Sequence, residues 1–391
     1  MSPDRRLLAR LCLAGFVAGM AGCATVHVAP FSAAPDRSRL TPDQKVVWQA
    51  SDEQDTAFQN IGADYDDPQL TQYVQGVVNR LYPDFHGVIR VHLLKSTVPN
   101  AFMMANGSCY VQLGLLPLLQ DESGLAMVLS HEGIHFVNQH GVEERTQEGN
   151  AVTAALILGV TVPIIGPALA VSSIYGYSVD MENEADRVGY QRYLKAGYPA
   201  DAAVQPFLAL DGYTQAMGIK ESYFYADHPK LQNRIAYFKA QAIGAPAGGD
   251  SGGAHYLATS LNARLWVLQE LLSRQDQKTL IFLLEDPARL ADYPDYAAFY
   301  LGAAYALRNG DGDGAHAERL YRQVVAKDPD FAPSYAALGK MLMRRNDNAE
   351  AAKMFEDYLK LAPNSADRAY IEADLKQLSA AAPVGAPGKG R

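Results

Sequence analysis

Two histidines four residues apart, His131 and His135, and the glutamate beside the first are the residues of this sequence best placed to do chemistry. Positions four apart lie on one face of a helix, so both imidazoles can reach a single Zn²⁺. Glu132 can then take a proton from an attacking water and later pass it to a leaving amine. The pattern therefore predicts a site for peptide-bond hydrolysis with one Zn²⁺ per subunit.

A catalytic zinc needs a third protein ligand, and two arrangements can be compared with the sequence. One places a third histidine six residues after the second, but that position holds Gly141, and His140 is one residue out. The other uses a glutamate from a second helix, which the segment 181–186 supplies. Glu182 and Asp186 share a helical face, so one can ligate while the other holds a ligand histidine by its far nitrogen. Glu184 points about 200° away, so Glu182 is the predicted ligand and Asp186 its support.

The histidine pair requires a helix, which we predict from Asp121 to about Gln139. Acidic and hydroxyl side chains at 121–123 suit its N-terminus. Its apolar side is formed by Leu125, Val128, Leu129 and Phe136.

Shorter elements are predicted before this helix. A capping box with Pro at the first helical position starts a helix at Thr41, and a second helix follows Asp67-Pro68 as far as Leu81. Alternating and β-branched residues predict three short strands, the last two joined by a turn at 106–107. These strands are 88–94, 100–104 and 108–113.

Several of these segments resemble metallopeptidase family 48, the gluzincin family of the CAAX prenyl protease and HtpX. The resemblance covers roughly residues 60–240, and the sequence is most similar to periplasmic members of the family. It is carried by Asn100-Ala101-Phe102, Gly114-Leu115-Leu116, the segment 125–130 before the histidines, Glu182 to Asp186, His228-Pro229 and Arg234-Ile235. Gly133-Ile134 departs from the family, which commonly has a bulkier residue and then a small one there.

The resemblance implies roles for further residues. Asn100, Ala101 and Phe102 would belong to an edge strand along which the substrate backbone pairs, although an ordinary hairpin strand fits each side chain equally well. Arg234 would support the metal site. His228 would lie close to the metal, either filling its open position or stabilising the oxyanion; the alternative is a surface histidine that caps a helix.

The N-terminus is predicted to be a bacterial lipoprotein signal. Arg5, Arg6 and Arg10 precede a short apolar stretch, and the segment ends in Met20-Ala21-Gly22-Cys23. Cys23 is the predicted lipidation site, with an ordinary cleaved signal as the alternative. A lipid anchor on the periplasmic side of the outer membrane is the expected location.

Residues beyond about 255 are predicted to form tetratricopeptide repeats. Leu338, Gly339, Phe355 and Pro363 have the spacing of a 34-residue repeat, and the preceding unit fits once three residues are inserted at 309–314. Such repeats bind proteins, and outer-membrane assembly machinery is the predicted class of partner.

Charge and hydropathy limit the remaining possibilities. Lys+Arg 34 against Asp+Glu 43 gives a net charge of −9 without a basic run, which argues against nucleic acid as a partner. The uncharged run 149–179 is long enough to span a membrane, but Pro163 and Pro167 interrupt it. A broken helical hairpin, packed on the protease or dipping into a membrane interface, is favoured over a true span.

We therefore predict a mainly α fold with a small β-sheet, in which a gluzincin-type zinc metalloprotease domain precedes an α-helical tetratricopeptide-repeat domain. The favoured function is a zinc endopeptidase that cleaves misfolded or stalled envelope proteins. Alternatives are a chaperone-like adaptor with a latent protease site and a membrane-embedded protease. The predicted segments are 1–22 signal, 23–40 tether, 41–243 metallopeptidase domain, 244–254 linker, 255–380 repeats and 381–391 disordered tail.

Overall fold

The computed structural model describes residues 27–147, 177–219, 231–245 and 249–381. We call the described residues up to 245 the N-terminal region and those from 249 the C-terminal region. The N-terminal region holds α1 (Pro42–Asn60), α2 (Pro68–Leu81), β1 (Arg90–Leu94), β2 (Ala101–Met103), β3 (Ser108–Gln112), α3 (Glu122–Val137), α4 (His140–Gln147), α5 (Val179–Lys195), α6 (Gln205–Met217) and α7 (Leu231–Ala242).

The C-terminal region is helical throughout its described elements. It holds α8 (Gly253–Ser273), α9 (Gln277–Leu284), α10 (Pro287–Leu290), α11 (Ala298–Arg308), α12 (Asp313–Lys327), α13 (Ala332–Arg344), α14 (Asn348–Leu361) and α15 (Arg368–Ala381). Short 3₁₀ turns occur at Arg37–Arg39, Pro83–Phe85, Leu113–Leu115, Ala200–Val204 and Asp295–Ala297. The prediction of a mainly α fold with a small sheet is confirmed.

Local sequence signals fix where the first helices begin. The Thr41 side chain accepts from the Gln44 N–H and the Gln44 side chain accepts from the Thr41 N–H, which completes the predicted capping box of α1. Asp67 caps α2 in front of Pro68. Asp121 caps α3 by accepting from the Gly124 N–H.

The three strands form one sheet in the order β1-β3-β2. β1 runs parallel to β3, and β2 pairs with β3 in antiparallel register through the turn at Asn106-Gly107. Among the described strands, β2 therefore lies at an edge of the sheet. Gly107 has φ +87°, and a Cβ there would lie 2.7 Å from the Val88 carbonyl oxygen, so the turn requires glycine.

α3 lies at the centre of the N-terminal region and is buried along most of its length. Its N-terminus is held by Glu122, whose carboxylate accepts from Tyr73 and Tyr198 hydroxyls at 2.6 and 2.7 Å and from Arg80 at 2.9 Å. A buried carboxylate with several charge-assisted and hydroxyl donors is well satisfied. This network fixes the start of the helix that carries the two histidines.

The C-terminal region packs directly on the N-terminal region. Tyr256, Val267 and Leu268 of α8 belong to the same buried apolar cluster as residues of α2 and α3. The Tyr256 hydroxyl also donates to the Leu116 carbonyl at 2.7 Å. α8 begins at Gly253, inside the segment 244–254 predicted as a linker, and contributes to the core around α3.

Two helix pairs of the C-terminal region repeat one packing detail. A Cβ at Gly302 would lie 2.9 Å from the Tyr321 ring, and one at Gly339 would lie 2.6 Å from the Phe355 ring. Glycine on the first helix of each pair thus admits an aromatic ring of the second helix. These are positions that the repeat spacing aligned in α11–α12 and α13–α14.

Some predictions fall outside the described residues. They concern Cys23, His228, the part of the uncharged run from 149 to 176, and the tail from 382. In the part of the chain that the structure describes, no helix combines the length and the apolar character needed to cross a membrane.

Candidate metal centre

The structure brings together three predicted ligands from two helices. His131 and His135 lie on α3 and Glu182 lies on α5, and all three side chains are buried. The Nε2 atoms of the two histidines are 3.2 Å apart. Each is 3.3 Å from one oxygen of Glu182, Oε2 for His131 and Oε1 for His135. The three groups therefore point their potential ligand atoms at one place.

This triangle fits a zinc ion. Ligand atoms about 2.0–2.1 Å from zinc at tetrahedral angles lie about 3.3 Å apart. The two Nε2 atoms are 3.2 Å apart and each lies 3.3 Å from a different oxygen of Glu182, so the two nitrogens and this carboxylate match that spacing. Two imidazoles and one carboxylate are also a donor set known for catalytic zinc, and they leave a fourth position for reactants.

His131 is held by its far nitrogen. Its Nδ1 lies 2.9 Å from Asp186 Oδ1, and the Arg234 guanidinium donates to both oxygens of Asp186 at 2.6 and 2.9 Å. Burial raises the pKa of Asp186, but Arg234 and His131 outweigh burial and keep it below its usual value. Burial and Arg234 act to lower the pKa of His131. Glu182 and Asp186 act to raise it and outweigh them, so the pKa is raised from its ordinary value to about 9. Two carboxylates beside one imidazole thus favour positive charge at this site.

His135 has different neighbours. Its Nδ1 lies 2.9 Å from Nδ1 of His140, and the Tyr177 ring stacks on its imidazole with 3.9 Å between ring centroids. His140 Nε2 lies 3.3 Å from Glu184 Oε2. Burial lowers the pKa of His140, and hydrogen bonding to Glu184 acts in the opposite direction. Glu184 therefore contacts His140 on the far side of His135 from the ligand triangle.

Glu132 lines a cleft beside the ligand triangle. The lining includes apolar side chains from three separate elements and the end of strand β2. These residues are Asn100, Ala101, Leu115, Val128, Phe207 and Leu210, together with His131 and Arg234. Phe102 is not among them: its ring stacks on Tyr110 at 5.1 Å, on the opposite face of the sheet. Only the first two of the three predicted strand residues thus line the cleft.

The backbone of β2 has one free side among the described residues. The Asn100 carbonyl accepts from the Gln112 N–H, and the Met104 N–H donates to the Ser108 carbonyl. Alternate residues of an antiparallel strand point their backbone groups in opposite directions. The N–H and C=O groups of Ala101 and Met103 therefore face away from β3, where an extended chain could pair with them.

Sequence reasoning missed three contributors to this site: His140, Tyr82 and Gly189. The ring of Tyr82 occupies the space that a Cβ at Gly133 would need, with its nearest atom 2.3 Å from that position, and its hydroxyl donates to the Ser130 carbonyl. The departure from the family pattern at 133 thus coincides with a close ring contact. The adjacency of His140 to the motif was the available signal for its role.

Gly189 sets the distance between the two ligand-bearing helices. A Cβ at this position of α5 would lie 2.8 Å from the Ser130 carbonyl oxygen and 3.1 Å from the His131 backbone nitrogen. Neither backbone atom can move without shifting α3. Glycine at 189 therefore lets Glu182 reach the two histidines.

We predict that Gly189→Ala destabilises the protein by about 1–3 kcal/mol through overpacking and also weakens metal binding. Gly76→Ala is the matched control, because Gly76 lies within α2 and a Cβ there meets no atom within 4 Å. The control should be neutral or stabilise by up to about 1 kcal/mol. Thermal unfolding and zinc titration measure both effects, and a Gly189→Ala protein as stable as the control would contradict this account of the helix contact.

Comparison with known proteins agrees with this geometry. Residues 66–242 match the sequence profile of Peptidase family M48. The chain is 29% identical over 193 residues to the mitochondrial metalloendopeptidase OMA1 of Schizosaccharomyces pombe, an alignment covering 46% of this chain and 57% of that protein. It is 28% identical over 223 residues to a putative beta-barrel assembly-enhancing protease of Vibrio cholerae, with coverages of 52% and 45%.

A beta-barrel assembly-enhancing protease of Yersinia pestis is 26% identical over 153 residues, covering 35% of this chain and 32% of that protein. The chain thus spans between about a third and three fifths of the lengths of these curated relatives. The matched profile includes α3, α5 and the three clustered side chains. Residues 66–242 therefore form a metallopeptidase domain that belongs to peptidase family M48.

Proposed function

We propose that this protein is a zinc-dependent metalloendopeptidase whose ligands are His131, His135 and Glu182. The observation that carries the proposal is the triangle formed by the Glu182 carboxylate and the two Nε2 atoms. The nitrogens are 3.2 Å apart and each lies 3.3 Å from a different carboxylate oxygen, which are separations of the size found in a tetrahedral zinc site. Zinc bound there would act as a Lewis acid that polarises the peptide carbonyl and acidifies the attacking water. The family membership supports the same reaction class.

The side chains around the ligand triangle would have separate roles in the reaction. Glu132 is the proposed general base, which accepts a proton from the attacking water and returns it to the leaving amine. Asp186 and Arg234 orient His131 through the hydrogen bonds described above. The role of His228, as a plug of the open position or as an oxyanion donor, stays a prediction.

The cleft supports a polypeptide as substrate. A chain extended along β2 would bond to the backbone groups of Ala101 and Met103 and bring one of its own amides to Glu132. A side chain beside the scissile bond would then enter the space between Leu115, Val128 and Phe207, which favours an apolar residue at that position. Such pairing needs no free terminus, so internal bonds of an unfolded protein are suitable targets.

Metal removal tests the proposal. We expect the purified chain to cleave casein at internal bonds, to lose this activity after treatment with a zinc chelator and dialysis, and to regain it with about one equivalent of Zn²⁺. Mass spectrometry of the products would show internal cleavage and the residues flanking it. Activity that survives complete metal removal, or products trimmed only from the ends, would contradict the proposal.

We further propose that the protein acts in the bacterial envelope on misfolded or stalled proteins, anchored by lipid on Cys23 to the outer membrane. The sequence Met20-Ala21-Gly22-Cys23 and the relatives named for beta-barrel assembly support this proposal. The helix pairs of the C-terminal region are proposed to bind outer-membrane assembly machinery, as stacked helical repeats bind proteins. Membrane fractionation of a Cys23→Ala variant and crosslinking of the full chain are the corresponding measurements.

A further inference from the structure

We propose that His140 is a positioning residue for the metal ligand His135, and that it acts through a hydrogen-bonded chain that ends at Glu184. The inference rests on the zinc site proposed above. It adds a function for a histidine that the zinc motif does not include.

The geometry of His140 is specific on both sides of its ring. The residue is 1% exposed, its Nδ1 lies 2.9 Å from Nδ1 of His135, and its Nε2 lies 3.3 Å from Glu184 Oε2. Both ring nitrogens therefore have a polar partner although the residue is buried. Buried polar atoms are normally hydrogen-bonded, and what distinguishes His140 is that one of its two partners is the predicted metal ligand His135.

A break in the helix brings His140 to this position. α3 ends at Val137 and α4 begins at His140, and between them Gln139 adopts φ +58°, in the left-handed region. The Gln139 side chain is held on both sides, donating to the Ala29 carbonyl and accepting from Gln44. The chain thus changes direction after α3, and this places the His140 ring beside His135.

Metal ligation determines the direction of the hydrogen bonds. His135 points Nε2 at the ligand triangle, so this nitrogen must be unprotonated to ligate and the ring proton resides on Nδ1. That N–H then donates to His140 Nδ1, which must accept and leaves the His140 proton on Nε2. His140 Nε2–H donates in turn to Glu184 Oε2. One consistent proton arrangement therefore runs from His135 through His140 to the carboxylate.

The two histidine ligands are consequently held by different chemistry. His131 bonds directly to Asp186, whereas His135 is linked to the Glu184 carboxylate through the imidazole of His140. Hydrogen bonds of this kind fix ring orientation and tautomer, and their loss typically costs about 10–100-fold in metal affinity. We expect His140 to contribute at that level.

A pair of variants with the same shape tests the proposal. Asn and Leu are nearly isosteric, but the Asn side-chain oxygen can stand where Nδ1 of His140 stands and accept from His135, while Leu offers no acceptor. We expect His140→Leu to bind Zn²⁺ about 10–100-fold more weakly than the wild type, and His140→Asn to recover most of that loss. Competition with a chromogenic chelator measures the affinity, and melting of the metal-free proteins checks that both variants fold equally well.

A third variant applies if neither His140 variant folds. Glu184→Ala removes the outer carboxylate, whose side chain is 31% exposed, and should lower zinc affinity by about threefold or more while leaving the fold intact. Equal zinc affinity of the His140→Leu and His140→Asn variants would overturn the proposal. If neither of these variants folds, wild-type zinc affinity of Glu184→Ala would overturn it. Failure of the wild type itself to bind Zn²⁺ would instead overturn the proposed function on which it rests.

Discussion

His135→Ala is expected to reduce the zinc content of the purified protein from about one ion per chain to almost none and to abolish casein cleavage. The reason is geometric: His131 and Glu182 alone supply two ligand atoms, and a catalytic zinc site requires three from the protein. Loss of the imidazole also leaves the Glu182 carboxylate, which is 0% exposed, beside an empty space. Some loss of stability should therefore accompany the loss of metal.

Two further variants separate these effects. Glu182→Gln keeps the size of the side chain and removes its charge, so it should lose zinc with less disturbance of packing. His86→Ala is the matched control for the histidine, because His86 is exposed and lies outside the metal centre. Elemental analysis and circular dichroism measure metal content and folding. Zinc content in His135→Ala equal to that of the His86→Ala control would refute the ligand assignment.

Glu132→Gln is expected to lower kcat by about 10²–10⁴-fold while zinc content stays at the wild-type level. Glutamine fits the same space in the cleft but cannot accept the proton of the attacking water. KM should change little, because the free edge of β2 and the apolar lining remain as they are. The variant thus separates metal binding from the proton transfer that follows it.

The matched control is Glu53→Gln, because Glu53 is an exposed residue of α1 that accepts a hydrogen bond from Gln49 of the same helix. It should cleave casein at the wild-type rate. Steady-state kinetics with a fluorescent peptide and zinc analysis of the same samples provide the comparison. Wild-type kcat in Glu132→Gln, or loss of zinc together with activity, would exclude the general-base role.

The residues of the ligand triangle could be selected from the sequence because each part of the pattern is local. Four-residue spacing puts His131 and His135 on one face of α3, and the same spacing puts Glu182 and Asp186 on one face of α5. Caps at Thr41, Asp67 and Asp121 are likewise settled by side chains that bond within one turn. When these two helices pack face to face, the ligand Glu182 and the supporting Asp186 both reach the histidines.

The glycine–aromatic contacts of the C-terminal region are local for a similar reason. Glycine and aromatic residues recur there at equivalent positions once the three-residue insertion at 309–314 is allowed for, and each pair meets within one helical hairpin, as Gly302 with Tyr321 and Gly339 with Phe355. The packing of this region on the rest of the chain could not be predicted from the sequence. α8 packs on α2 and α3 directly after the glycine-rich segment, although that composition resembles a flexible linker.

Tertiary structure alone decided the surroundings of the metal centre. Val128 lies on α3 near Glu132, but Phe207 and Leu210 come from α6, some 75 residues later, so no local pattern could predict the lining of the cleft. The face to which Phe102 turns depends on how the whole sheet is placed over α3. The contact of His140 with His135 depends on one left-handed residue, Gln139, where the chain changes direction. Helical period and caps specify which side chains share a face. Contacts between elements depend instead on how closely those faces pack. That distance is set by positions such as Gly189 and by packing over the whole core.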